Sequence, residues 1–109
     1  MYPEVRIASR PIVSFDPQLG VLRVYGEEDR VTSGRRRRAL SSALTAPRDV
    51  VVDLSELRFA DSSLMVDLAV LARRLRLEGR KLMLRGAQPQ IQSLIEVMGI
   101  DRLPAIALA

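Results

Sequence analysis

The chain has 109 residues, a formal charge of +4 and 48% hydrophobic residues, enough for one domain around one modest core and too few for two. It contains neither cysteine nor histidine, which excludes disulfides, zinc–thiolate sites, thiol catalysis and a Ser-His-Asp triad. The apolar runs are shorter than the ~20 residues that span a bilayer. The opening "MYPEVRIASRP" also lacks the apolar segment of a secretory signal, so a cytoplasmic protein with no membrane insertion is expected.

In chain order, "EVRIASRPIVSFD" and "LGVLRVYGE" read as two strands rich in Val, Ile and Leu, separated by a turn from Asp16-Pro17 to Gly20. "TSGRRRRALSSAL" reads as a short helix with Thr32 or Ser33 as its N-cap. "DVVVDL" is an apolar run of the kind covered on both faces of a sheet. A long helix from about Ser62 to Glu78 follows, stopped by Gly79. "RKLMLRG" is a further strand, and "QPQIQSLIEVMG" a helix with Pro89 in its first turn and Gly99 after its last. The tail "DRLPAIALA" has room for one short final strand. Strands alternating with helices define an α/β domain with crossover connections and parallel pairing. The whole chain, residues 1–109, is read as that single domain.

On a wheel of 3.6 residues per turn, Leu64, Leu68, Leu71 and Leu75 of the long helix form one stripe flanked by Met65 and Ala72, the core face. Val66, Val70 and Leu77 lie on the other side among Arg73 and Arg74. Aliphatic side chains on an outer face form a docking surface, or are covered by another element.

That helix begins in "RFADSSLMVDL", with an aspartate and two serines at its threshold. Asp61 or Ser62 can cap it, satisfying orphan amides for about 1 kcal/mol. The same end favours an anion, and a phosphate on Ser62 would bring roughly −1.5 to −2 charges to it, at the edge of the aliphatic face. With no histidine to activate them, the serines are weak nucleophiles, and catalysis by this chain is not expected. No metal site and no cofactor is expected either.

"VVVDLSELRFADSS" before an apolar helix, then "EGRKLMLRG" and "LIEVMGIDRL", resemble the STAS domain of bacterial anti-sigma factor antagonists. "GEED" at Gly26 to Asp29, with Thr32 following, resembles that family's Gly-Glu-Leu-Asp segment. The resemblance runs from the first strands to about Leu103. It implies a STAS-like fold, a small mixed β-sheet with helices packed on it in the order β-β-α-β-α-β-α and a possible short final strand. It also implies a function in transcription regulation by partner switching. Such a protein binds an anti-sigma factor that is also a serine kinase, releasing a sigma factor. Phosphorylation of the serine after the aspartate switches binding off, and a cognate phosphatase restores it. By position Ser62 matches the phosphoacceptor. Asp61, Ser63, Asp29 and Thr32 lie near it. Leu64, Met65, Val66, Val70, Arg73 and Leu77 would contact the partner.

The chain departs from the family pattern in three places, the least of them Gln88 before Pro89, where serine or asparagine would cap better. Typical members continue Asp-Ser-Ser with Gly-Leu-Gly, where this chain has Leu64, Met65 and Val66. Glycine allows close backbone approach, so the larger side chains are expected to reshape or block the kinase contact. In the first helix a family core leucine falls on Arg36, on the apolar face with Ala39, Leu40 and Ala43. Arg36 is expected to lay its stem along the core edge with its head in water, or the helix begins later.

Two other functions compete. The family also includes STAS subunits that dock on ABC-type lipid transporters, for which phosphorylation is not obligatory. Nucleic-acid binding through "RRRR" is the third reading, since phosphate contacts need only arginines. It is disfavoured because the chain has only four aromatic residues, Tyr2, Phe15, Tyr25 and Phe59, and single-strand binders supply exposed aromatic platforms. Phe59 is expected in the core.

Overall fold

A computed structural model of the chain describes residues 12–27, 33–60 and 62–108. Among the described residues there are six strands: β1 (Ile12–Asp16), β2 (Val21–Glu27), β3 (Val50–Asp53), β4 (Leu57–Phe59), β5 (Leu82–Arg85) and β6 (Ile106–Leu108). The described helices are α1 (Ser33–Thr45), α2 (Ser62–Leu77) and α3 (Pro89–Val97), with a 3-10 turn at Ile100–Arg102. β1 and β2 form an antiparallel hairpin, closed where the backbone N–H of Gly20 donates to the carbonyl of Asp16. The Asp16 carboxylate accepts from the N–H groups of Gln18 and Leu19, which tightens the turn. Gly20 has φ +68, and a Cβ there would meet Arg48 Cδ at 2.6 Å, so the turn requires glycine.

The sheet order is β1-β2-β3-β5-β6, parallel from β2 onward, so the architecture is the small mixed sheet with helices that the family resemblance implies. Each crossover steps the same way across the sheet. Crossovers of the usual right hand then place all their helices on one face. Burial follows this rule. Val50 and Val52 of β3 and Leu82 and Leu84 of β5 are buried, with Leu22 and Val24 of β2 beside them. Leu64, Met65, Leu68, Leu71, Ala72 and Leu75 of α2 cover them in one core, joined by Ile91 and Ile95 of α3. β3 is therefore not covered on both faces as its apolar run predicts: Val51 and Asp53 are only half-buried. A run of three valines does not reveal which face lies open.

β4, a strand not expected from the sequence, pairs with β2 through Gly26↔Leu57 and Glu27↔Phe59. This pairing leaves Arg58 without an opposite residue, and the irregularity breaks the inward alternation after Leu57. Phe59 is consequently 57% exposed and not a core residue. The final strand is present as β6, and Gly79 and Gly99, at φ +73 and +71, follow the ends of α2 and α3. Gln88, at the N-cap of α3, makes no capping bond; its side-chain amide donates instead to the carbonyl of Ser55.

Candidate functional site

α2 enters directly after β4, at the carboxyl end of the sheet. Its first two residues are Ser62 and Ser63, both exposed. Helical spacing then sorts the side chains that follow. Leu64 and Met65 point into the core at 1% and 0% exposure. The expectation that these two contact a partner is corrected: Leu64 lies on the i, i+4, i+7 stripe that packs on the sheet, and Met65 is buried beside it. Leu64, in the place of the first family glycine, therefore adds no bulk outside. Val66, in the place of the second, stands outward at 52%. Val70 and Leu77 follow on that side at 50% and 80%, with exposed Arg73 between them.

Arg36 reaches this helix from α1. It is 5% exposed and shares the inner stripe of α1 with Ala39 and Ala43. Its head is not in water. Nε lies 2.7 Å from Asp67 Oδ2, and Nη2 donates to Ser63 Oγ at 3.2 Å. Burying a guanidinium is costly unless it is paired, and here α2 supplies both a carboxylate and a hydroxyl. The carboxylate lies one turn beyond the hydroxyl (i, i+4), so one planar fork reaches both. The two neighbouring serines are thus unlike: Ser63 is tied to α1 through Arg36, and Ser62 opens the helix at the surface.

Asp61, Asp29 and Thr32, expected near Ser62, lie outside the described residues. Arg37 and Arg38 of the arginine run are exposed and point away from the inner stripe. Sequence reasoning missed Asp67. A charge at an apolar helix position demands a partner, and Asp67 is the one acidic residue within α2; that was the available signal.

On the open face of the sheet, Arg23, Asp53 and Arg85 lie side by side in register on β2, β3 and β5. Burial raises the Asp53 carboxyl pKa. Hydrogen bonds from the Ser55 hydroxyl and backbone N–H, and from Arg85 at 3.1 Å, outweigh it and leave the value below the ordinary 3.8. A polar cavity of about 350 Å³ adjoins this row, lined by Arg23, Val24, Asp53, Ser55 and Glu56. Among the described strands the order never reverses, so they form no switch point of the kind that opens a nucleotide crevice in doubly wound folds. Among the described residues no cluster of acidic side chains could hold a metal ion, and no helix is long and apolar enough to cross a membrane.

A mixed sheet whose crossovers all step the same way, covered by the three described helices and with a serine pair opening α2, defines a STAS-type domain. The family model described as "Mlab, STAS domain" matches residues 12–107, and the chain belongs to the STAS-domain family. Among solved structures it is similar to an anti-sigma-factor antagonist (STAS) domain protein from Planctomyces limnophilus. The TM-score is 0.60 at 19% identity, covering 92% of this chain and 90% of that one. That likeness is one of fold. A search of the curated proteins found no match for the chain.

Proposed function

We propose that this STAS domain is an anti-sigma factor antagonist, a binding switch controlled at Ser62. The observation that carries the reading is the placement of Ser62, exposed at the first turn of α2 where the outward valines begin. A phosphate there would be accommodated by the helix terminus while placing roughly two negative charges at the mouth of an apolar contact surface. Binding would be lost through desolvation and repulsion, with no need to unfold the domain. Val66, Val70, Arg73 and Leu77 form the contact surface, and Leu64 and Met65 support it from beneath. The chain acts as substrate of an anti-sigma factor serine kinase and of a cognate phosphatase, and is not itself an enzyme. It works in the bacterial cytoplasm without cofactor, metal or nucleic acid.

One observation favours a second reading, that of a docking subunit on an ABC-type lipid transporter. Val66 is half exposed where typical antagonists carry glycine, which alters the surface that an antagonist's kinase approaches. Affinity purification from the source organism separates the two. The switch predicts that a Ser62→Ala bait retains a serine kinase and a Ser62→Glu bait loses it. Recovery of transporter components with both baits, and of no kinase with either, would select the docking subunit.

A further inference from the structure

The outward side of α2 does not face open solvent along its whole length. Between α2 and the segment that follows α3 runs a groove of about 520 Å³, whose lining includes Val66, Val70, Met98, Leu103, Arg73 and Arg76. Small residues floor it, since Ala69 and Ala72 also contribute. Two arginines belong to it, and among the described residues that line it none is acidic. Neither Arg73 nor Arg76 forms an ion pair with another described residue.

We propose that this groove receives an acidic amphipathic helix of a partner protein, aliphatic residues inward and carboxylates against Arg73 and Arg76. The inference rests on reading the chain as a partner-binding domain and adds the chemistry of the partner. Three features carry it. The α2 wall offers residues 66, 69, 70, 73 and 76, helical spacing over about 15 Å, the length of some ten helical residues. The walls present side chains and not an open strand edge, which fits a helix laid in a groove better than an added strand. The charge is of one sign. The groove of a second copy would bring its own Arg73 and Arg76 and no lining carboxylate to answer them, whereas a helix bearing carboxylates complements the charge.

The test uses the full chain and two fluorescein-labelled 14-residue helical peptides. Both carry leucines at i, i+4, i+7 and i+11; one is flanked by glutamates, its twin by lysines. Fluorescence anisotropy is expected to show the glutamate peptide binding at least ten-fold tighter than its twin, with the margin narrowing at high salt. Val70→Asp should weaken that binding at least ten-fold, and R73E/R76E should reverse the peptide preference. Melting curves of both variants accompany the assay, and the reversal by R73E/R76E cannot arise from misfolding. Equal binding of the two peptides, or no binding of the acidic one, overturns the proposal. So does concentration-dependent dimerisation abolished by Val70→Asp, or attachment to phosphatidylglycerol vesicles without peptide binding. Phosphotransfer to Ser62 is scored separately. A chain phosphorylated there that ignores the acidic peptide loses the groove and keeps the switch. One that binds the peptide and is never phosphorylated keeps the groove and loses the switch.

Discussion

The buried guanidinium of Arg36 is held 2.7 Å from the carboxylate of Asp67, joining α1 to α2 one turn beyond the serine pair. The two partners are not equally enclosed: the side chains are 7% and 32% exposed. Their deletions should therefore differ. Asp67→Leu leaves a cation in the core and is expected to cost about 3 kcal/mol. Arg36→Leu restores an apolar side chain and leaves a carboxylate that water can reach, with an expected cost of about 1 kcal/mol or less. The double variant should recover most of the Asp67→Leu loss. Urea unfolding of the four proteins checks the order.

Arg80 is a second arginine that works inside the fold. Its guanidinium donates to the carbonyls of Ala43 and Leu44 at the end of α1 and of Arg48 just beyond, at 2.8, 2.8 and 2.6 Å. These carbonyls have no partner within the helix. Arg80→Ala should destabilise by about 2 kcal/mol, the scale of charge-assisted bonds. Arg80→Lys should rescue only part of it, since an ammonium lacks the planar fork. Thermal melts of the two variants measure both effects.

Asp53 gives the fold an acid-sensitive element. Its folded pKa lies below the ordinary 3.8, set by Ser55 and Arg85 against the opposing effect of burial. A carboxylate with a depressed folded value contributes stability that is present above its unfolded pKa and is lost as pH falls through the folded one. The stability difference between the wild type and Asp53→Asn should be constant at neutral pH. It should shrink once the pH drops below about 3.9. A difference that grows toward low pH would contradict this assignment.

The two sides of α2 should respond oppositely to substitution. Leu68→Ala removes a fully buried side chain and is expected to cost about 3 kcal/mol. Val70→Asp, at a half-exposed position, should change stability by no more than about 0.5 kcal/mol. Partner recognition should show the reverse ranking. Chemical denaturation paired with a binding assay on each variant reads both.

Much of this was legible because periodicity carries it. The core stripe of α2, the exposure of Val66, Val70 and Leu77, the helix-ending glycines and the final strand all follow from spacing and from Gly or Pro punctuation. What escaped depends on contacts distant in sequence. Phe59 looked like a core aromatic, but the irregular pairing of β4 with β2 turns it outward. Met65 and Leu64 looked like both core and contact surface, and only packing decides for the core. Arg36 showed that something unusual lay on α1, yet its answer, Asp67, sits 31 residues further along. The open face over Val51 and Asp53 follows from strand order, which a local apolar run does not encode.

Ser62 is proposed as the control point of a binding switch. The direct measurement is the intact mass of the protein after incubation with ATP and lysate of the source organism, beside Ser62→Ala and Ser63→Ala controls. The switch predicts a single added phosphate on the wild type and on Ser63→Ala, and none on Ser62→Ala. An unmodified wild type, in a lysate that phosphorylates a known antagonist, would contradict it, as would a phosphate that persists in Ser62→Ala.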